Sequence, residues 1–128
     1  MEKRILSTAA VLGIIAIILG AFGAHALKNV LDSQQLSTFE TGVRYQMYHA
    51  LFLLFVGSSK QISAKARKVI FYLIVMGVLF FSGSIYLLAV DGIISFNAKS
   101  IGFITPIGGL LLIVGWICLF IDFNNKKS

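Results

Sequence analysis

Apolar residues run almost without interruption through three stretches of the chain, Ile5–Ala24, Val69–Val90 and Ile101–Ile121. Each has about 20 residues, the length a helix needs to cross a hydrocarbon layer about 30 Å thick. A fourth stretch has only half of that character. After His49 only Ala50–Gly57 is wholly apolar, which is about 12 Å of helix and too short to cross. Extended backwards through Met47, Val43 and Phe39, it reaches Ser37-Thr38-Phe39-Glu40. That tetrapeptide reads as a capping box, in which the Ser37 hydroxyl and the Glu40 carboxylate each satisfy an orphan backbone donor. The pattern therefore predicts an all-α, single-domain chain over residues 1–128, with spans at about 5–27, 38–57, 69–90 and 101–121.

Composition agrees. Of 128 residues, 58% are apolar and 12% charged, with a mean hydropathy of +0.91. A soluble domain of this size carries about twice that share of charge on its large surface. One cysteine, Cys118, cannot form an internal bridge, and a chain with 11 Phe and a single Pro is no disordered tail.

The net charge of +6 acquires meaning once the spans are placed. Four spans leave the N-terminus, the middle loop and the C-terminus on one side, with Lys3, Arg4, Lys60, Lys65, Arg67, Lys68, Lys126 and Lys127. The other side holds Lys28, Arg44 and Lys99. This asymmetry predicts both termini in the cytoplasm, and it explains the basic charge without nucleic acid. Trp116 and Tyr72 then lie towards the cytoplasmic ends of their helices, where aromatic rings favour the interface. The first span resembles a secretory signal, with Ala24-His25-Ala26 as a small-x-small site. Its apolar core of about 20 residues, however, exceeds the usual 7–15.

Helices in lipid associate through small residues that let backbones approach. Ala9, Gly13, Ala16, Gly20 and Ala24 form such a stripe on the first helix. Gly77 and Ser84, Gly102 and Gly109, and Gly108 and Gly115 repeat it at a spacing of seven on the third and fourth. An antiparallel four-helix bundle is expected, and glycine-rich faces are candidates for a homo-oligomer or a partner helix. Pro106 is expected in the first turn or so of the fourth helix, where its missing N–H costs little; a kink beneath Gly108-Gly109 is the alternative.

Candidate chemistry concentrates on the second helix. Arg44, Tyr48, Tyr45 and His49 fall roughly 40°, 80°, 140° and 180° around the axis from Glu40. His49 lies about 18 Å from Ser37, near the bilayer midplane, and Arg44 about 10 Å in, able to snorkel or to pair with Glu40. Ionisable groups at such depth normally face a bundle interior or a wet cavity. The orientation brings His25, Ser82, Ser84, Tyr86 and Thr105 to the same outer half. A polar pocket opening outward is the expected site, with His25, Glu40, Arg44, Tyr45, Tyr48, His49, Ser82, Ser84, Tyr86 and Thr105 as its lining. A closed network that only fixes helix registry is the rival reading.

Specific catalytic signals are thin. Two histidines without ligand spacing do not make a metal site, and no phosphate loop, hydrolase elbow or zincin helix occurs. Ser82 or Ser84 with His49 as base is arithmetically possible, but membrane serines more often bond a backbone carbonyl. Glu40, Asp91 and Asp122 all fall at helix ends, which argues against a proton-coupled exporter.

Four motifs carry a family resemblance. They are Gly20-Ala21-Phe22-Gly23-Ala24-His25-Ala26-Leu27, the run from Thr41-Gly42-Val43-Arg44-Tyr45-Gln46 through Met47-Tyr48-His49-Ala50-Leu51, Phe81-Ser82-Gly83-Ser84-Ile85-Tyr86, and Thr105-Pro106-Ile107-Gly108-Gly109 with Gly115-Trp116. In this order they resemble domain of unknown function family four hundred and twenty-three, itself similar to the small eukaryotic transmembrane protein two hundred and fifty-six. The resemblance covers essentially the whole chain and implies a small four-span integral membrane protein, in bacteria one of the plasma membrane. It implies no activity, cofactor or catalytic residue. The expected role is thus binding of a small polar molecule or lipid headgroup among membrane lipids, with Arg44 supplying charge. The alternatives are a structural or accessory protein and a small carrier or membrane enzyme using His49.

Overall fold

The computed structural model describes residues 1–90 and 98–125, with the backbone alone at 98–100. Asp91, one of the three carboxylates expected at helix ends, lies outside the described residues, as do the Lys99 side chain and the Lys126-Lys127 pair of the charge asymmetry. Among the described residues there are four long helices: α1 (Glu2–His25), α2 (Ser33–Ser58), α3 (Ala64–Ala89) and α4 (Ala98–Asn125). Three are long and apolar enough to cross a membrane, namely α1 with the 3-10 turn that extends it to Asn29, α3, and α4 from Ile101 onwards. At 26 residues α2 equals α3 in length. Its polar first half sets it apart.

α2 begins one turn earlier than the sequence pattern suggests. Asp32 is its N-cap: Asp32 Oδ1 accepts from the Gln35 N–H at 2.7 Å, and Gln35 Oε1 accepts from the Asp32 N–H at 3.0 Å. Asp-x-x-Gln makes the same reciprocal exchange as Ser-x-x-Glu, and its carboxylate also meets the positive end of the helix dipole. Ser37 is therefore inside the helix, its carbonyl accepting from Thr41 Oγ1. Pro106 is also displaced from its expected place. α4 starts at Ala98, so the proline stands two turns inside the helix, which continues without the bond that an N–H there would make to Gly102.

Small residues bring consecutive helices together. Gly20 faces Val43 and Gly23 faces Phe39, while Gly57 at the far end of α2 meets Ile5 and Leu6 at the start of α1. Gly42 lies beneath the Tyr86 ring, Gly77 against Leu112, and Gly115 against Ile74. The glycines of the first-helix stripe thus meet this chain's own α2. Gly83 and Gly102 have open space before them. α1 packs on α2, α2 on α3 and α3 on α4, and the lipid-type side chains of the outer helices, such as Ile17, Ile18, Leu110 and Phe120, are exposed.

Two apolar clusters form. The larger, around Ile5, Leu53, Val56, Ile70, Ile74 and Leu119, fills the half of the molecule near the chain ends. The smaller joins Leu27, Leu31, Phe39 and Ala89 at the opposite end. Arg67 closes the first half. Its buried guanidinium donates to Glu2 Oε1 at 2.8 Å and to the carbonyls of Val56, Ser59 and Ile62. Beside it, both Asp122 carboxylate oxygens accept from Ser63, the N-cap of α3.

Candidate functional site

A polar layer lies between the two apolar clusters, and Gln46 is its hub. From α2 its Nε2 donates to the Leu12 carbonyl of α1 at 2.8 Å, and its Oε1 accepts from the Tyr86 hydroxyl of α3 at 2.6 Å. Next to it Ser82 Oγ donates to the Gly42 carbonyl at 2.8 Å. Ser84 Oγ bonds the Phe81 carbonyl and shares a short bond with Thr105 Oγ1, which ties α3 to α4. Gln46 was not among the residues singled out from the sequence. The available signal was its place three residues before His49, on the same helical face.

His49 is buried at 4% exposure. Its Nδ1 lies 2.7 Å from the Tyr45 carbonyl, and its Nε2 lies 3.1 Å from Trp116 Nε1 on α4. An indole N–H can only donate, so Nε2 is the acceptor and the Nδ1–H goes to Tyr45. The ring is neutral with both nitrogens engaged. Ser82 and Ser84 direct their hydroxyls to other partners, so no serine–histidine pair of the hydrolytic kind assembles. Among the described residues every buried side-chain nitrogen and oxygen has a hydrogen-bond partner. Trp116 is also not the interfacial anchor expected of it: it sits level with His49, its ring 4.0 Å from that of Phe52.

The other half of the expected constellation faces away. Tyr45 is 39% and Tyr48 51% exposed. Arg44 and Glu40 have half-exposed side chains that approach to 4.0 Å, and Arg44 also donates to Thr41 Oγ1. His25 is exposed at the end of α1. The reason is helical geometry. Phe39, Gly42, Gln46, His49, Leu53 and Val56 form the buried seam of α2, which leaves Glu40, Arg44 and Tyr48, one turn apart, on an open face. Val43 packs on Gly20, so Arg44, the next residue, lies at the level of the apolar run of α1, with its side chain about 100° further round α2. Its side chain tilts towards the start of α2, in the direction of Glu40.

Access to the layer is lateral. Phe39, Leu31, Leu27 and Ala89 pack together at the end of the polar layer near the start of α2. A crevice of 370 Å³ opens on the side of the helices, lined by Tyr45, His49, Phe81, Gly109, Leu112, Ile113 and Trp116. The Tyr45 ring bridges it to the open face, stacking 5.1 Å from Phe81 and 5.5 Å from Tyr48.

Comparison with known proteins gives this architecture a family. Residues 19–109 match the model described as Protein of unknown function (DUF423). The chain belongs to the DUF423 family. It is 38% identical to a UPF0382 membrane protein of Haemophilus influenzae, over 100% of this chain and 99% of that one. Similarity to the UPF0382 membrane protein SSP2132 of Staphylococcus saprophyticus is 46% over 80% and 81% of the two chains. To the UPF0382 inner membrane protein YgdD of Escherichia coli it is 31%, over 98% and 93%. No solved structure matches. With three spanning-type helices, this DUF423 chain is a membrane protein. The DUF423 match takes in Tyr45, His49, Phe81 and Gly109 of the crevice and ends before Trp116.

Proposed function

We propose that this chain is a multi-pass plasma-membrane protein, an antiparallel four-helix bundle with both termini in the cytoplasm, that binds a bilayer amphiphile with an anionic head. The head, a phosphate or carboxylate, bonds Arg44 on the open face of α2, and the apolar body enters the crevice between Tyr45 and Trp116. α2 is the fourth span: its seam residues pack along α1 and α3, and the apolar flank of α1 sets the depth of Arg44. From there the guanidinium snorkels towards the outer headgroups. The positive-side bias supports the orientation, and the inner-membrane name of the E. coli relative supports the compartment. One observation carries the binding reading: the 370 Å³ crevice reaches from the exposed Tyr45 to the engaged His49–Trp116 pair.

Trp116 is the sole tryptophan and lines the crevice, so it reports occupancy. In phosphatidylcholine vesicles with a few per cent of brominated lipid, brominated phosphatidylglycerol quenches Trp116 more than brominated phosphatidylcholine at equal fraction. Arg44→Gln removes the difference. Equal quenching by the two lipids in the unaltered protein overturns the proposal.

A second reading, that the polar layer serves only to fix helix registry, is favoured by its complete hydrogen bonding. It is the reading left standing if no lipid is preferred and the network variants lose stability.

A further inference from the structure

A second lateral groove runs down the opposite flank, where α3 and α4 meet. Two adjoining cavities of 480 Å³ and 330 Å³ share Val69. The first is walled by Val69, Tyr72, Leu73, Met76 and Leu111, with Lys68 at its mouth; the second reaches Lys65, Cys118 and Asp122. All the formal charge is therefore at one end. From Lys65 to Met76 the groove is about 16 Å long on a helix rise, which is about half of a 30 Å hydrocarbon layer. Its length fits the acyl chain of one leaflet.

Lys65 and Lys68 stand three apart on one face of α3 and are exposed. Among the described residues neither takes part in an ion pair; the two ion pairs there belong to Arg44 and Arg67. The one carboxylate in the groove, Asp122, has both oxygens engaged by Ser63. Arg67 is turned inward to Glu2 and contributes no charge to this flank. We infer that the groove is the seat of one anionic phospholipid of the cytoplasmic leaflet, its phosphate on Lys65 and Lys68 and one acyl chain along Val69, Tyr72 and Met76. The site shares no residue with the α2–α4 crevice. From the proposed function it borrows only the orientation of the helices.

The test places a tryptophan beside the groove, Tyr72→Trp in a Trp116→Phe background, in phosphatidylcholine vesicles with brominated lipid. At low ionic strength each basic residue near the surface favours an anionic lipid about fivefold, hence roughly twenty-fivefold for two lysines. Phosphatidylglycerol is therefore expected to quench this reporter in strong preference to phosphatidylcholine, less so at high salt. Adding Lys65→Gln and Lys68→Gln removes the preference, while adding Arg44→Gln leaves it intact. A parallel measurement needs no reporter: native mass spectrometry of the otherwise unaltered chain, with and without the two lysine substitutions, should show one phosphatidylglycerol fewer retained. Equal affinity for the two lipids, a preference that survives the lysine substitutions, or one abolished by Arg44→Gln overturns the inference.

Discussion

Trp116 Nε1 donates to His49 Nε2 at 3.1 Å and thereby joins α4 to α2, two helices that are not neighbours along the chain. Because the indole has no acceptor role, this contact also fixes the imidazole tautomer and so the bond to the Tyr45 carbonyl. Trp116→Phe keeps most of the ring volume and strands the His49 acceptor. Hydrogen bonds between membrane helices contribute about 0.6–1.7 kcal/mol, and a loss of that size is expected in denaturant unfolding of the micellar protein. In a double-mutant cycle with His49→Leu the two losses should be less than additive, since both remove one bond. Full additivity would show that the pair is not coupled.

A larger loss is expected at Arg67. Its guanidinium donates to the carbonyls of Val56, Ser59 and Ile62 and to Glu2. Arg67→Ala leaves three carbonyls around the α2–α3 turn without this donor, and a buried acceptor left unsatisfied costs about 1–3 kcal/mol. Arg67→Lys supplies a single ammonium where a planar fork bonds several acceptors, so it rescues only part. Glu2→Gln is expected to be mild, because Glu2 is itself largely exposed and the pair is screened from that side. Unfolding midpoints of the three variants, in the order Ala lowest, Lys intermediate and Gln nearest the unaltered chain, check this.

Much of this fold is legible from hydropathy alone, and the four helices fall where apolar runs and the need for length place them. The beginning of α2 is less so. Ser37–Glu40 and Asp32–Gln35 are both acceptable capping boxes, and only the contacts of Leu31 and Leu36 with α1's end favour the earlier one. At the site, depth is readable but facing is not. Treating polar residues as inward-turning suits His49, whose flanking seam includes Gly42 and Leu53; it fails for Arg44 and Tyr48, one face over. The small residue Gly42, seven before His49, marks the true seam by the same rule that marks Gly13 and Gly20 on α1. Trp116 carries no such local mark, because its partner lies 67 positions away.

The two candidate caps make opposite predictions. Asp32→Ala removes the acceptor of the Gln35 N–H and should cost about 1 kcal/mol. Ser37→Ala, inside the helix and exposed, should change stability by no more than a few tenths, in the favourable direction of its higher helix propensity. Thermal unfolding in detergent separates the two, and a larger loss for Ser37→Ala would restore the later start of α2.

Glycine position, rather than glycine content, governs the α3–α4 interface. A Cβ at Gly108 would collide with the backbone of Phe80 and Phe81, and one at Gly77 would lie 2.7 Å from a Leu112 methyl. Backbone cannot yield as a flexible side chain can, so Gly108→Ala must part the two helices. That would also stretch the bond between Ser84 and Thr105 and widen the crevice that Gly109 lines. Overpacking of this kind costs about 1–3 kcal/mol, and Gly77→Ala should cost less because the leucine can turn. Gly83 has nothing within 4 Å of the same position; Gly83→Ala is expected to be neutral or to stabilise α3 by up to about 1 kcal/mol through helix propensity. Unfolding free energies in the order Gly83→Ala, Gly77→Ala, Gly108→Ala, from most to least stable, are the expected result. A Gly108→Ala protein as stable as the unaltered chain would mean that these two helices do not meet at Phe81.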